Sequence, residues 1–309
     1  METHQQFWNQ WSRTYQGFSE TVEPYRDAQR RLAEGAVTAL KNNLPQATLS
    51  IVDVGGGAGN LMRPLLDALR LQRSHLKGVS YTLTDGAQDM VGLAQVRLPA
   101  LQQVFPEVSF HLHHANTLDD ELYEKVRPSR GDLVISSWNI EYYPLEKRQE
   151  MVRRLTSLAH GQGVVAFSSS VRLPESLTIR ELLMPLGQAQ VLQSLLTGGP
   201  TQMRKVITSL KQIAEFGLAV NSHQFPDKPT LPELRQLATD AGLEQMAATY
   251  HLFGASGMII ARKDRAPTSA LPRQPIARPL AGKAGYEGYS ETTSFWSYFT
   301  YLVHNPPQI

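Results

Sequence analysis

"IVDVGGGAGN", residues 51–60, sets four glycines in ten positions, with Asp53 two residues ahead of the first. Glycine belongs where the backbone must take positive φ or let another group come close. "TLSIVDV" (48–54) reads as a strand, and "NLMRPLLDALRLQR" (60–73) as a helix with Leu61, Leu65 and Leu69 on one face and Pro64 in its first turn. A strand that turns through Gly55, Gly57 and Gly59 into a helix offers bare amides and a positive helix end to a ligand. A tight turn with no ligand is the plain alternative. The spacing is D-x-G-x-G-x-G, not the G-x-G-x-x-G of dinucleotide folds. Asp53 at the strand tip would repel a pyrophosphate and suits a cationic amino acid group.

Strands and helices alternate from there onward. "YTLTD" (81–85), "VSFHLHH" (108–114), "GDLVISSW" (131–138) and "GVVAFSSSV" (163–171) read as further strands. Before the last of these, "LEKRQEMVRRLTSLAH" (145–160) predicts a helix with Met151, Val152, Leu155 and Leu158 inward. Such alternation calls for a parallel sheet covered on both faces. Ahead of it, residues 1–46 read as helical, with Ala28, Leu32, Ala36 and Leu40 four apart.

The pattern breaks near residue 172. Residues 172–219, rich in Leu and Gln, predict a helical insertion that reaches to 229. In "TLPELRQLATDAGL" (230–243), Thr230 is placed to cap a helix and Gly242 to end it. "EQMAATY" and "GMIIARK" follow as an antiparallel hairpin. Residues 265–285 are a Pro-rich linker without period, and 286–309 are dense in aromatics.

Composition narrows the function. The 309 residues are 41% hydrophobic and 19% charged, with a formal charge of +2, as in an ordinary globular chain. Scattered charges argue against a nucleic-acid surface, and zero cysteines exclude disulfides, thiolate metal sites and a cysteine nucleophile. The N-terminal residues have no signal-peptide pattern and no run is long enough to span a membrane, so a cytoplasmic protein is expected. "HLHH" (111–114) sends His111 and His113 to one face and His114 to the other with no acidic cluster, a poor metal site.

In its motifs the chain resembles the class I S-adenosylmethionine-dependent methyltransferases of the small-molecule type, in register over residues 47–263. The resemblance implies a Rossmann-like α/β fold: a seven-stranded, mostly parallel sheet with helices on both faces. To this it adds an N-terminal helical lid (1–46), the insertion (172–229) within a cofactor domain (47–264), and a C-terminal extension (265–309). "VDVGGGAG" is similar to the family's first motif, which wraps the methionine end and ribose of S-adenosyl-L-methionine, and so implicates Asp53, Gly55, Gly57 and Gly59. "TLTDGAQDM" is similar to the second, which puts Asp85 and Gly86 at the ribose hydroxyls, where two oxygens make a bidentate grip. An acid capping the next helix is the other reading of Asp85. "HHANTL" corresponds to the adenine-contacting segment, here Ala115, Asn116 and Thr117. Asn116 stands where many relatives carry Asp, and serves either adenine or a loop cap.

"GDLVISSWNIEYYP" matches the fourth motif, whose tip faces the methyl group and the substrate. It supplies Ser137 to the cofactor side, Asn139, Glu141 and Tyr142 as catalytic candidates, and Tyr143 to the wall. Glu141 and His251 are the titratable residues suited to a general base. "FWNQWSRTYQGF" (7–18) is similar to a lid segment, with Trp11 or Tyr15 reaching the sulfonium or packing as core. "NPP" (305–307) lies far from the fourth strand, where amino-methylating enzymes carry it.

The resemblance implies methyl transfer to a small-molecule acceptor, in a role suited to specialised biosynthesis, with no nucleic acid, membrane or metal involved. The insertion and the aromatic tail are candidates for an acceptor pocket or a homodimer contact. Two alternatives stand beside it. One is a cyclase that closes the aminocarboxypropyl group to azetidine-2-carboxylate and releases methylthioadenosine, with Asn139 orienting the amine. The other is a non-catalytic binding protein.

Overall fold

The computed structural model describes residues 4–21, 23–40, 48–72, 78–116, 118–120, 124, 126, 130–171, 228–251 and 256–263. The expected insertion, except for residues 228 and 229, the C-terminal extension 265–309 and Thr117 lie outside the described residues.

The sheet consists of β1 (Thr48–Val54), β2 (Gly78–Asp85), β3 (Val108–His114), β4 (Gly131–Ser137), β5 (Ala159–Ser170), β6 (Leu243–His251) and β7 (Ser256–Lys263). Their order across it is β3-β2-β1-β4-β5-β7-β6. The pairs β1–β2, β2–β3, β1–β4 and β4–β5 are parallel, whereas β7 is antiparallel to both its neighbours, β5 and β6. The hairpin expected from "EQMAATY" and "GMIIARK" is therefore present, and its second strand is the one inserted next to β5.

Alternation along the strands builds two cores. Ile51, Leu133, Ile135, Val164 and Ala166 face one of them, and Val52, Val134, Val165 and Phe167 the other. Both sides of each central strand are apolar, as a parallel sheet requires. The first face is covered by α2 (Glu23–Ala39), α3 (Met62–Gln72) and α4 (Gln88–Val104), the second by α5 (Leu145–Leu158) and α6 (Leu231–Asp240).

Helix periodicity sorts the same way. Leu61, Leu65 and Leu69 are buried, as are Met151, Val152, Leu155 and Leu158. Pro64 sits in the first turn of α3, where its missing amide has no helical partner to lose. The Thr230 hydroxyl accepts from the Glu233 amide (3.3 Å) and the Glu233 carboxylate from the Thr230 amide (2.6 Å), a capping box that starts α6. Gly242, at φ 74°, ends it.

The N-terminal stretch forms two helices, α1 (His4–Thr21) and α2. Ala28, Leu32, Ala36 and Leu40 are buried. From α1, the Asn9 side-chain oxygen accepts the Asp89 amide of α4 (3.1 Å) and Glu20 pairs with Arg97 (2.9 Å). Ala87, at the start of α4, has no side chain able to cap that helix, and Asn9 fills the role from outside. Among the described residues no helix is long and apolar enough to cross a membrane.

Candidate functional site

Strand order reverses between β1 and β4, and in open α/β sheets ligands bind beyond the C-terminal strand ends at such a point. A cavity of about 350 Å³ lies there, roofed by α1 and α2. The glycine loop, the tip of β2, the turn after β4 and residues from both roof helices form its wall.

Each glycine of the loop is bare for its own reason. At Gly55 (φ 66°) an added Cβ would lie 1.9 Å from the Asn139 amide nitrogen. At Gly56 it would meet the Asp53 carboxylate and Leu83 at 2.8 Å, and at Gly59 (φ 74°) the Met62 methyl at 2.1 Å. Only Gly57 (φ 55°) opens onto space, with nothing within 4 Å. Three of the four thus make room for the protein itself, and Gly57 keeps the backbone bare toward the cavity.

Two carboxylates flank this opening. Asp53 is fully buried, and its Oδ2 accepts the Tyr81 hydroxyl at 2.8 Å. Its Oδ1 has no hydrogen-bond partner among the described residues. Burial, and then the nearby Asp85 charge, raise its pKa to about 7, although the Tyr81 bond pulls it down. Asp85 accepts the Gly57 amide on Oδ2 (2.9 Å) and the Ala87 amide on Oδ1 (2.8 Å). Burial raises its pKa to about 6 against the pull of those two amides. It therefore caps the segment leading into α4, and each of its oxygens keeps a lone pair for a further donor. Among the described residues these are the charged side chains of the cavity wall.

The roof is aromatic. Trp8 meets Tyr15 at 5.2 Å and Tyr142 at 5.1 Å between ring centroids, and Tyr25 meets Trp138 at 5.3 Å. Hydrogen bonds tie it to the sheet: Ser137 Oγ lies 3.1 Å from Ser168 Oγ and donates to Gln29 Oε1 (3.0 Å). Gln29 Nε2 donates in turn to the Tyr25 hydroxyl (2.9 Å), which bonds the Tyr15 hydroxyl. Burial pushes the Tyr15 phenol up to about 12, so it stays neutral at physiological pH.

The turn after β4 is strained. Trp138 has φ 55°, an outlier for a bulky residue that costs roughly 1–3 kcal/mol. Its amide donates to Ser168 O at 3.0 Å. Asn139 follows, its Nδ2 3.5 Å from Val54 O, and Ile140–Tyr142 form one 3-10 turn.

Of the residues singled out in the sequence, Tyr15, Asp53, Gly55, Gly57, Asp85, Gly86, Asn116, Ser137, Asn139, Tyr142 and Tyr143 lie on the cavity wall. Asn116 also accepts the Leu118 amide on its Oδ1 (3.1 Å), so its loop-capping reading is realised. Trp11, Gly59, Ala115 and Glu141 lie off the wall. Trp11 packs on Phe7 (6.4 Å), because the stripe that faces the cavity is Trp8 and Tyr15, seven residues apart and nearly in line on a helix. Gly59 packs on Met62, and Ala115 on the second core. Glu141 is buried and turned toward β5, where it accepts from Ser169 and Ser170. His251 ends β6 three strands from β4, roughly 14 Å away by strand spacing, and its side chain lies outside the described residues.

Sequence reasoning missed Trp8, Tyr25, Gln29, Asn60 and Trp138 on the wall. The Trp8–Tyr15 spacing was a signal for the first. Nothing local marks Gln29, whose role comes from Ser137 in another element.

No family model matches the chain, and neither does any curated protein. Among solved structures it is similar to the magnesium protoporphyrin IX methyltransferase of Synechocystis PCC 6803 with bound SAH, at 18% identity over 84% of this chain and 97% of that one, with a TM-score of 0.50. The same protein with bound SAM aligns at 16% identity over 84% and 95%, with a TM-score of 0.49. At such identities the likeness is one of fold: the chain has the Rossmann-like fold of class I methyltransferases.

Proposed function

We propose that the chain binds S-adenosyl-L-methionine in the β1–β4 crevice and directs transfer of its methyl group to a small molecule, in the cytoplasm and in a specialised biosynthetic role. One observation carries this reading: the Asp53 Oδ1 atom, on a residue of the cavity wall, is buried and has no hydrogen-bond partner among the described residues. A buried carboxylate oxygen left unpaired is costly unless a ligand donor completes it. An ammonium group does so and a phosphate does not.

The residues present fit that molecule. Asp53 would take its amino group and the free lone pairs of Asp85 its ribose hydroxyls, with Asn116 beside the base. When bound, S-adenosylmethionine supplies an electrophilic carbon on a sulfonium. The chain's part is to hold and desolvate. The rings of Trp8, Tyr15, Tyr25, Trp138 and Tyr142 exclude water, and aromatic faces favour a cation by about 0.5–2 kcal/mol each. Among the described residues no histidine or lysine lines the wall, which supports a nucleophile that arrives without its proton.

A second reading, the cyclase, rests on Asp53 and Asn139 instead. There the nucleophile is the amino acid's own amine, Asp53 is near enough to the cavity to hold its proton, and Asn139 is fixed at the strand tip to orient it. The four-membered ring would form as the bond to sulfur breaks, releasing methylthioadenosine and a proton. Mass spectrometry of the protein with S-adenosylmethionine alone, then with a metabolite extract, separates the two. S-adenosylhomocysteine appearing only with extract supports methyl transfer, and methylthioadenosine without extract supports ring closure. Neither product above background would overturn both.

A further inference from the structure

Three consecutive serines, Ser168–Ser170, close β5, and all three reach across to the turn after β4. Ser168 and Ser169 are buried, an unusual setting for hydroxyls unless each has a partner. Ser168 uses its carbonyl for the Trp138 amide (3.0 Å) and its hydroxyl for that of Ser137 (3.1 Å). Ser169 Oγ lies 3.1 Å from Glu141 Oε2 and 2.9 Å from Ser170 O, so its one proton is shared between the two acceptors. Ser170 donates to Glu141 Oε1 twice, from Oγ (2.9 Å) and from its amide (3.2 Å). From behind, Ser256 Oγ of β7 donates to Ser169 O (3.1 Å), which ties this end of β5 to the next strand.

We propose that Glu141 is a positioning residue: by gathering the donors of Ser169 and Ser170 it clamps the strained Trp138–Tyr143 turn onto β5, and so sets the wall formed by Trp138, Asn139, Tyr142 and Tyr143. A bulky residue at φ 55° persists only where its surroundings over-determine it. Here the determination comes from both sides of the outlier. Trp138 itself is held by the Ser168 carbonyl, and three residues later the Glu141 carboxylate is held by three donors. Charge-assisted bonds to a carboxylate are the stronger kind, which is why an acid rather than an amide suits a clamp that must oppose strain. Both Glu141 oxygens are engaged and neither faces the cavity, so the group is not set to take a proton from a bound acceptor. Burial raises its carboxyl above the usual carboxylate range, although its own amide and the bonds from Ser170 and Ser169 pull it down. What the wall serves rests on the function proposed above, whereas the clamp does not.

The test uses the full chain with Glu141→Gln, Glu141→Ala and the double change Ser169→Ala with Ser170→Ala. Amide hydrogen exchange over residues 138–143 is measured with β3 as internal control, together with calorimetry of S-adenosylmethionine. Glu141→Gln, which keeps a carbonyl for the Ser170 donors but loses the charge, is expected to speed exchange in the turn by less than Glu141→Ala does and to hold affinity within about threefold. Glu141→Ala should speed exchange in the turn by about tenfold or more, the loss of one charge-assisted bond, with β3 unchanged and affinity reduced. If Glu141→Ala does not fold, the double serine variant should show the same change in smaller degree. Unaltered exchange in the turn of a folded Glu141→Ala, or of the serine variant where that one fails to fold, would overturn the clamp. So would a Glu141→Gln variant that binds normally yet has lost all turnover, since that marks a base. A wild type that binds no S-adenosylmethionine would refute the function proposed above while the exchange arm still decides the clamp.

Discussion

Asp53→Asn separates what the carboxylate does for a ligand from what it does for the fold. Asparagine keeps the shape and a carbonyl for the Tyr81 hydroxyl, now 2.8 Å from Oδ2, and removes the charge carried toward Oδ1, which has no partner among the described residues. In the fold this carboxyl is raised from 3.8 to about 7, chiefly by burial. The folded state therefore binds the proton more tightly than the unfolded chain does. The resulting stability is fully present below about pH 4 and is lost as pH rises through about 7. Asparagine does not titrate, so without ligand the variant should melt above wild type at about pH 8 and close to it at about pH 5. Binding should move the other way. A hydrogen bond from a cationic amine to a buried carboxylate is worth about 1.5–3 kcal/mol, or roughly 10- to 150-fold in affinity. Calorimetry of S-adenosylmethionine at about pH 8 should show that loss in Asp53→Asn, and wild-type affinity should fall below about pH 7 while the variant's stays level. Equal affinity in both proteins at the higher pH, or a variant that melts lower there, would refute the reasoning.

Three further outcomes are expected. Asp85→Ala takes the acceptors from the Gly57 and Ala87 amides, and should weaken S-adenosylmethionine binding at least about tenfold by calorimetry; unchanged affinity would move the ribose site elsewhere. Gly55→Ala should lower the melting temperature more than Gly57→Ala, because both meet a positive-φ cost of about 1–2 kcal/mol but only the first drives its Cβ into Asn139. Gly57→Ala should instead show its larger effect in ligand titration. Trp8→Ala should weaken binding about 2- to 30-fold, and Trp11→Ala should leave it within error; the reverse pattern would mean that α1 presents its other stripe.

The sheet was legible because its pattern is local. Strands buried on both faces read as apolar runs, helices as repeats of three and four, and the Thr230 and Gly242 signals lie within one turn of what they cap. The reasons behind the glycines were not legible in the same way. Gly55 is bare because Asn139 lies over it, and that contact exists only once β1 and β4 are side by side. Glu141 shows the same limit. An acid just after the fourth strand reads as a base, and only the pairing of β4 with β5 reveals the serines that occupy it. In α1 the sequence set Trp11 and Tyr15 together on one lid segment, and the docking of α1 through Asn9 and Glu20 turns Trp8 and Tyr15 to the cavity and leaves Trp11 on Phe7.

The place of β7 between β5 and β6 bears on how the chain can be made. Ser170, the last residue of β5, pairs with Ser256, 86 positions later (256 − 170). At a ribosomal pace of about 5–20 residues per second, the outer edge of β5 waits roughly 4–17 s for its partner strand. Through that interval the backbone of Val164–Phe167 offers its amides and carbonyls to any extended neighbour. A nascent chain arrested short of Ser256 would be the form most prone to aggregate, and one arrested past Lys263 would not.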